Sequence, residues 1–428
     1  MSLKVTAISN GVDGLFLSND RFNTTRISFN FYLPLERETV ANNALLPFVL
    51  TTCSEKYPDF SKLNYKLSKL YGARLESSCE KTGDFQLLRV CISTINDSFA
   101  LDGESLVEEA CEMLLNLIFN PKVENGAFCD EDVSREKRKA IEHIKSELSE
   151  KRIYAKNRML EEMYKGEKYG IPKCGTEDDV NAITGETLYK AWKEVLKSAY
   201  IRVQVVSSTM PSGLFDKITD RFSSIERDNI TVCDNVSPTK ALSEAKTITE
   251  TMNVSQGKLV MGFSSELYGD GDNALPLMVM TDIFGGGPYS RLFTNVREKM
   301  SLCYYCSASS VRIKGLVMVD SGVEAENFKK AQEEILNQLE IIKQNKFSDF
   351  EFESSLKSIK DSLNSYNDSQ TSIDTWYSIR VFDKDCLSPE EMAEKLTAVS
   401  REDIARVANG VKLNTVYRLM PENAGERK

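Results

Sequence analysis

Hydrophobic and polar positions follow one another along this chain in an order that occurs twice. Alternating apolar and polar residues predict strands, and apolar residues at a spacing of three to four predict helices. The first half predicts a strand, a buried helix, a strand pair around a turn at Thr82-Gly83-Asp84, an amphipathic helix, a long charged helix, a helix and a strand. They cover residues 26–34, 38–50, 71–92, 103–121, 130–165, 181–196 and 201–208.

The second half repeats this order about 215–230 residues later, which indicates repetition of a whole domain rather than of a small unit. Its predicted elements cover residues 258–266, 272–284, 301–310, 315–323, 326–343, 348–367, 397–408 and 414–421. The polar stretch at 226–246 lacks periodicity and is predicted to be a linker between domains at 1–225 and 247–428. We expect two similar α+β domains that face each other, with the function in the space between them.

Composition excludes several classes of function. The 428 residues carry a formal charge of −10, which disfavours a general nucleic-acid binder. His143 is the one histidine, so a zinc motif that needs two histidines, or a three-histidine metal site, is excluded within this chain. Any histidine acting as general base has to be His143.

Ten scattered cysteines favour reduced thiols in a cytoplasmic protein. The first residues lack the apolar stretch of a signal peptide, and no apolar run approaches the roughly 18 residues of a membrane span. Cys303 and Cys306 form a C-x-x-C pair within a strand-like stretch, where alternation would direct the two sulfurs to opposite faces. Ordinary packing is therefore expected for both, rather than a metal or redox role.

The stretch from 284 to 305 is dense in residues that bind or polarise peptides. Gly285, Gly286 and Gly287 lie between two helical patterns, but neither a G-K-[ST] nor a G-x-G-x-x-G motif accompanies them, so a loop is favoured over a nucleotide site. Arg297 and Tyr304 follow, seven residues apart. An arginine and a phenol can bind a peptide carbonyl or a developing oxyanion, whereas a salt bridge and a core tyrosine are the alternative.

This stretch resembles the second domain of the pitrilysin-like zinc metallopeptidases, the group of the mitochondrial processing peptidase. That family has a glycine-rich loop, then S-R-L-F, then R-E-K-x-x-L-x-Y. The chain matches it at Gly285–Gly287, Ser290–Phe293, Arg297–Lys299, Leu302 and Tyr304. The resemblance extends over nearly the whole chain. It implies a clamshell of two homologous domains, each a mixed sheet packed with helices on one side, and makes Arg297, Tyr304 and the three glycines substrate-binding candidates.

The family's inverted zinc motif, H-x-x-E-H, is missing. Anchoring the alignment on Tyr57-Pro58 places Ala44, Pro47 and Phe48 where the family has its two histidines and its glutamate. Alanine and phenylalanine side chains cannot bind zinc, and proline cannot serve as general base. The chain is thus expected to hold no zinc and no other cofactor of its own.

Two further features follow from the resemblance. Glu136 matches the family's helper glutamate, and His143 falls on the distal ligand position, although a one-residue slip would place Glu142 there instead. A lone imidazole cannot build a metal site, so a plain surface or cleft histidine is favoured. The strand at Arg74–Cys79, with Arg74, Leu75, Glu76 and Ser77, resembles the edge strand to which a peptide substrate adds. A covered edge is the alternative.

Three functions remain open. The first is the non-catalytic subunit of a peptide-processing protease, paired with a homologous subunit that carries the zinc motif. The second is a peptide-binding or scaffold protein without proteolytic activity, alone or as a homodimer. The third is an independent enzyme with Glu136 and His143 as an acid–base pair, which the sequence favours least.

Overall fold

The structure, a computed structural model, describes residues 2–233, 238–265, 267, 271–383 and 385–422. Within these ranges the strands are β1 (Ser2–Ser9), β2 (Val12–Ser18), β3 (Thr24–Pro34), β4 (Arg74–Thr82), β5 (Phe85–Ile95), β6 (Val123–Glu124), β7 (Ala127–Phe128), β8 (Tyr200–Ser207), β9 (Lys246–Met252), β10 (Gly257–Ser265), β11 (Cys303–Val311), β12 (Leu316–Val323) and β13 (Val411–Pro421). Residues 234–237 of the predicted linker lie outside the described residues.

The α-helices of the same ranges are α1 (Val40–Leu50), α2 (Phe60–Lys69), α3 (Leu106–Phe119), α4 (Asp130–Ser149), α5 (Lys151–Met163), α6 (Glu177–Asn181), α7 (Gly185–Ser198), α8 (Leu214–Phe222), α9 (Ala274–Gly285), α10 (Phe328–Lys343), α11 (Asp349–Ser365), α12 (Gln370–Ser378), α13 (Pro389–Lys395) and α14 (Arg401–Asn409). A π-helix covers Leu292–Lys299. None of the helices in the described part is long and apolar enough to cross a membrane.

Two mixed sheets share a strand order apart from β1, the sixth strand of the first sheet, which has no counterpart in the second, in agreement with the predicted repeat. The first runs β1-β2-β8-β3-β5-β4, and the second runs β11-β12-β10-β13-β9. Each contains one parallel pair, β2 with β8 and β9 with β13, and its other neighbours are antiparallel. Read in opposite directions, the two orders align β4 with β11, so that each is the edge strand at the corresponding end.

The chain divides into two compact units that interleave along the sequence. Unit 1 comprises Met1–Ile144, Ile171–Asn235 and Asn367–Cys386, and unit 2 comprises Lys145–Gly170, Val236–Tyr366 and Leu387–Lys428. Helix α5, from the first half of the chain, therefore belongs to unit 2. Helix α12, from the second half, belongs to unit 1.

Strand β3 shows how the first sheet is covered on both faces. Alternate residues Ile27, Phe29 and Phe31 enter an apolar core shared with helices such as α1, α3 and α7. The residues between these three direct polar groups toward α12. Arg26, for example, donates to Asp374 of that helix at 3.1 Å. The predicted helical layer is present on one face of the sheet. The opposite face is covered by α12, which we call the transferred helix of unit 1 because it comes from the second half of the sequence.

The second sheet receives its transferred helix in a comparable way. On α5, Ala155 and Met159 pack with Val260 and Tyr417 of the sheet. Arg152 on the same helix reaches the buried Asp320 of β12 at 2.5 Å. In both units a charged pair thus accompanies the helix that comes from the other half of the sequence.

Candidate functional site

A cavity of about 450 Å³ opens beside edge strand β4 in unit 1. Helices α1 and α4, strand β4 and the segment around Lys173 enclose it. Gln86 joins two of these walls, because its side-chain amide donates to the carbonyl oxygens of Val40 at 3.0 Å and Lys173 at 2.7 Å. The cavity is lined by Ala41, Ala44, Leu45, Phe48, Ser77, Ser78, Cys79, Glu80, Glu136, Lys139, Ala140, His143, Lys173, Cys174 and Val180.

Helix α1 supplies the apolar wall where the family carries its zinc motif. Ala44 and Phe48, one helical turn apart, both line the cavity, and Phe48 remains 37% exposed. Pro47 lies inside the helix and is buried, and its ring removes a backbone N–H from the helical ladder. The wall therefore offers methyl and phenyl surface in place of metal ligands.

Helix α4 brings Glu136 and His143 to the same cavity, two turns apart. Glu136 is buried and accepts from Lys139 at 2.9 Å and from Arg135 at 3.2 Å. Glu142, the alternative match to the distal ligand, is not part of the lining and pairs with Arg138 at 3.9 Å. Ala44 and Phe48 of α1 and Glu136 and His143 of α4 are thus brought together around one space, whereas Pro47 does not line it.

The charges that line the cavity nearly balance. Lys139 pairs with Glu136, and Lys173 lies 3.5 Å from Glu80. Each carboxylate of the lining is compensated by an ammonium group, while the remaining surface is mostly apolar. The cavity suits an uncharged, largely apolar group better than an ion.

Two thiols of the lining, Cys79 on β4 and Cys174, hydrogen-bond to each other. That hydrogen bond and burial raise the pKa of Cys79 well above its ordinary value, so Cys79 stays protonated at neutral pH. Neither cysteine is predicted from the sequence to belong to a site. No pattern in the sequence around Cys174 indicates that this segment borders the same cavity as β4 and α1.

Strand β4 is the edge of its sheet, as the resemblance implies. Arg74 and Glu76 are exposed, Leu75 and Ser77 are half-buried, and Ser77 also lines the cavity. An edge strand leaves backbone N–H and C=O groups on its outer side available for pairing. The open edge and the cavity therefore adjoin.

The candidate glycines Gly285, Gly286 and Gly287 lie at the end of α9 and in the turn that follows it, before the π-helix. Gly285 ends α9, and none of Gly285, Gly286 and Gly287 is among the glycines with positive φ. A Cβ at Gly285 would lie 2.4 Å from the backbone nitrogen of Ala308 on β11. Glycine is needed at this position because α9 packs closely against β11.

Arg297 lies in the π-helix, and its side chain is 39% exposed. Its guanidinium lies 3.6 Å from the carboxylate of Glu298 and stacks over the ring of Phe293 at 4.5 Å. Tyr304, on edge strand β11, is 64% exposed, which excludes the alternative of a core tyrosine. Hydrogen bonding to Glu324 raises the pKa of the Tyr304 phenol, so it is protonated and able to donate at neutral pH.

The backbone at Tyr304 contains a β-bulge, which overturns the prediction that the two sulfurs of the C-x-x-C pair point to opposite faces. Cys303 lies opposite Val323 and Tyr305 opposite Gly322, so two residues of β11 span one step of β12. The extra residue restores the same orientation to Cys303 and Cys306, which are both buried and hydrogen-bond to each other. Strict alternation fails here because it assumes a ladder without a bulge.

The described residues do not fit a catalytic zinc ion. Within these ranges, no group of three or more His, Cys, Asp or Glu is arranged to hold a metal. The cavity lining contains one imidazole, that of His143, while α1 contributes Ala44 and Phe48 to the same lining. A zinc site needs at least three protein ligands, so no hydrolytic step by metal-bound water is derived for this chain.

Comparison with known proteins agrees with this arrangement. The model of the family described as "Peptidase M16 inactive domain" matches residues 182–359. A Bacillus subtilis (strain 168) protein named "Probable inactive metalloprotease YmfF" is 28% identical over 413 residues, 95% of each chain.

Solved structures show the same fold. A conserved protein from Enterococcus faecalis V583 superposes with a TM-score of 0.91 at 25% identity over 100% of both chains. A peptidase M16 inactive domain from Pseudomonas fluorescens has a TM-score of 0.78 at 13% identity over 98% of both chains. The resemblance to the pitrilysin-like, or M16, zinc metallopeptidases is thereby confirmed, in a form whose zinc motif is lost.

Proposed function

We propose that this protein binds extended peptides along β4 and serves as the non-catalytic subunit of a peptide-processing protease. The observation that carries the proposal is the cavity itself. Positions that would hold zinc ligands in an active relative line an apolar space beside an open sheet edge. In this proposal, an extended peptide lies in the space that those positions line.

Peptide binding uses two kinds of contact. Backbone groups of the incoming strand pair with the outer edge of β4, which requires no particular peptide sequence. One side chain of that strand then enters the cavity between Phe48, Ala44 and Ala140. Because the lining is mostly apolar and its charges are paired, leucine, methionine or phenylalanine fits better than aspartate or lysine.

Hydrolysis in this proposal belongs to a homologous subunit that carries an intact H-x-x-E-H motif and its zinc ion. The support in this chain is that the two halves match the family pattern unequally. The zinc motif of the first half is replaced, while Arg297, Tyr304 and the glycines of the second half match the pattern. The exposed guanidinium and phenol are suited to bind peptide carbonyls.

A cavity-filling variant tests the peptide site. We expect Ala44→Phe to weaken binding of a fluorescent, unstructured peptide with a central leucine by at least about tenfold, the factor that 1.4 kcal/mol represents. Ala182→Phe adds the same ring at an exposed alanine outside the lining and is the control. Equal affinity of both variants and the native protein would refute this use of the cavity.

A native pull-down tests the second part of the proposal. We expect a stoichiometric partner with an intact H-x-x-E-H motif. The purified complex should lose peptidase activity when Arg297→Ala and Tyr304→Phe are combined, and keep it with Lys329→Ala, which changes an exposed lysine of the same unit. Full activity of the double variant would contradict the division of labour.

The alternative is a peptide-binding or scaffold protein without a proteolytic partner. The same edge strand and cavity support it, since neither depends on catalysis. Recovery of the protein alone or only with itself would favour this alternative. In either case we place the protein in the cytoplasm, which the ten scattered cysteines of the sequence support.

A further inference from the structure

We infer that Cys303 and Cys306 form a reactive dithiol site, which closes to a reversible disulfide around Tyr304 by exchange with a low-molecular-weight disulfide. Neither the family resemblance nor the proposed peptide binding uses these thiols. The inference stands on the bulge in β11, on the hydrogen bond between the two sulfurs and on the position of Cys303 at the strand end.

The bulge brings the two cysteines close enough to be bridged. Cys303 lies opposite Val323, and Cys306 lies opposite Ser321, two positions away on β12. Because β11 runs beside β12, the Cα atoms of Cys303 and Cys306 are separated by about the length of two strand residues, roughly 6.8 Å. Disulfides occur at Cα separations up to about 6.8 Å, whereas three residues of a regular strand would span about 10 Å.

The two sulfurs are unequal, as a dithiol that undergoes exchange requires. The hydrogen bond from Cys306, with smaller contributions from Ser321 and Arg297, lowers the pKa of Cys303 to about 7. The same hydrogen bond and burial raise the pKa of Cys306. Near neutral pH, Cys303 is the attacking thiolate and Cys306 holds the proton.

Small disulfides reach the site through the start of β11. Cys303 is 8% exposed and is the first residue of the strand, between the exposed Met300 and the exposed Tyr304. Ser301, in the turn before it, has a positive φ of 51°. Strand ends open locally at little cost in free energy, so opening of this end admits the reagent.

The exchange is balanced without any other reactant. The Cys303 thiolate attacks one sulfur of the disulfide RSSR, which forms a mixed disulfide and releases RS⁻. The released RS⁻ takes the proton of Cys306, and the Cys306 thiolate then attacks the Cys303 sulfur and expels a second RS⁻. Two protein thiols are oxidised, RSSR is reduced to two thiols, and the ring encloses Tyr304. A bridge at the upper limit of Cα separation is easily reduced again.

The test equilibrates the full-length protein with glutathione disulfide, alkylates the remaining thiols after denaturation, and maps the peptides by mass spectrometry. We expect two of the ten cysteines to be protected, a Cys303–Cys306 link, and complete reversal by dithiothreitol. Cys306→Ser should stop at a Cys303–glutathione adduct. Cys79→Ser, which removes a thiol of the other hydrogen-bonded pair, should leave the link unchanged.

The pH dependence of the native protein gives a second measurement that needs no variant. Alkylation of Cys303 should rise with pH and reach half its maximum near pH 7, because the thiolate is the nucleophile. Ten free thiols after equilibration, a Cys79–Cys174 link instead, or a native protein that stops at the mixed disulfide would each overturn the inference. None of these readouts depends on peptide binding or on a partner subunit.

Discussion

At the scale of single residues, the polar face of the first sheet is organised by Arg26. Its guanidinium donates to Asp374 at 3.1 Å and to Glu76 of the edge strand at 2.6 Å, while Ser28 donates to Asp374 at 2.5 Å. Burial alone would lower the pKa of Arg26, but Asp374, Cys91 and Glu76 raise it above its ordinary value. Arg26 thus connects the transferred helix with the strand that borders the cavity.

Arg26→Met should destabilise unit 1 strongly, because it leaves Asp374 as an unpaired charge in a buried position. Removing one partner of a buried pair costs about 3–5 kcal/mol. Urea unfolding followed by circular dichroism measures the loss. Arg21→Met, which breaks an exposed pair with Asp368, is the matched control and should cost less than about 1 kcal/mol. Equal effects of the two substitutions would show that Arg26 has no such role.

Asp320 gives unit 2 a predictable response to acid. Burial alone would raise its pKa, but hydrogen bonds from Arg152 and Ser307 and the charge of Lys156 hold the pKa below its ordinary value of 3.8. The contribution to folding is therefore present above the unfolded pKa and disappears as pH falls through the folded one.

We expect the free energy of unfolding of unit 2 to fall as the pH is lowered below about 4, and Asp320→Asn to reduce this dependence. Parallel urea titrations between pH 6 and pH 2.5 measure it. Asp361→Asn, on a solvent-exposed part of α11, is the control and should leave the pH profile unchanged. An unchanged profile for Asp320→Asn would exclude the proposed attachment of α5 through this carboxylate.

At the scale of elements, local pattern predicted most helices and the strand pair around Gly83. Helix α1 at Val40–Leu50 and α10 at Phe328–Lys343 follow directly from apolar runs and helical spacing. The predicted long helix at 130–165 is instead two helices, since Glu150 has a non-helical ψ of 94°. Charged residues on both sides continue the helical pattern and so conceal this break.

The candidate site was predictable only in part, because its parts come from distant segments. Ala44, Phe48, Glu136 and His143 were identified through the resemblance, and they line one cavity. The bulge at Tyr304 has no such signal, because no glycine or proline marks it and it depends on the register with β12. The assignment of α5 to unit 2 and of α12 to unit 1 depends on tertiary packing, which the amphipathic pattern of a helix does not predict.

Introducing the H-x-x-E-H motif should create a metal site, because α1 and α4 face one space. We expect the variant Ala44→His, Pro47→Glu, Phe48→His, His143→Glu to bind one zinc ion per chain, measured by competition with a chromophoric chelator. Two histidines one turn apart and a glutamate from α4 make three ligands. The same variant with His143 retained is the control and should differ in affinity. No zinc binding by a natively folded variant would show that the helices no longer have this geometry.

At the scale of the whole molecule, each unit is completed by a helix from the other half of the sequence. A protease site introduced between residues 233 and 238 should therefore yield two fragments that stay together in native buffer. Size-exclusion chromatography of the cleaved protein tests this, with the uncleaved protein as control. Fragments that separate without denaturant would contradict the importance of α5 and α12 to the units that hold them.

The reciprocal transfer of helices has a consequence for how such a chain could originate. A single copy of the repeat, cut free, would lack the helix that covers one face of its sheet and would carry another helix with nothing to cover. If two identical copies exchanged that helix, each sheet would be covered and each helix would be packed. Gene duplication and fusion of such a swapped homodimer would then yield a single chain with this interleaved arrangement.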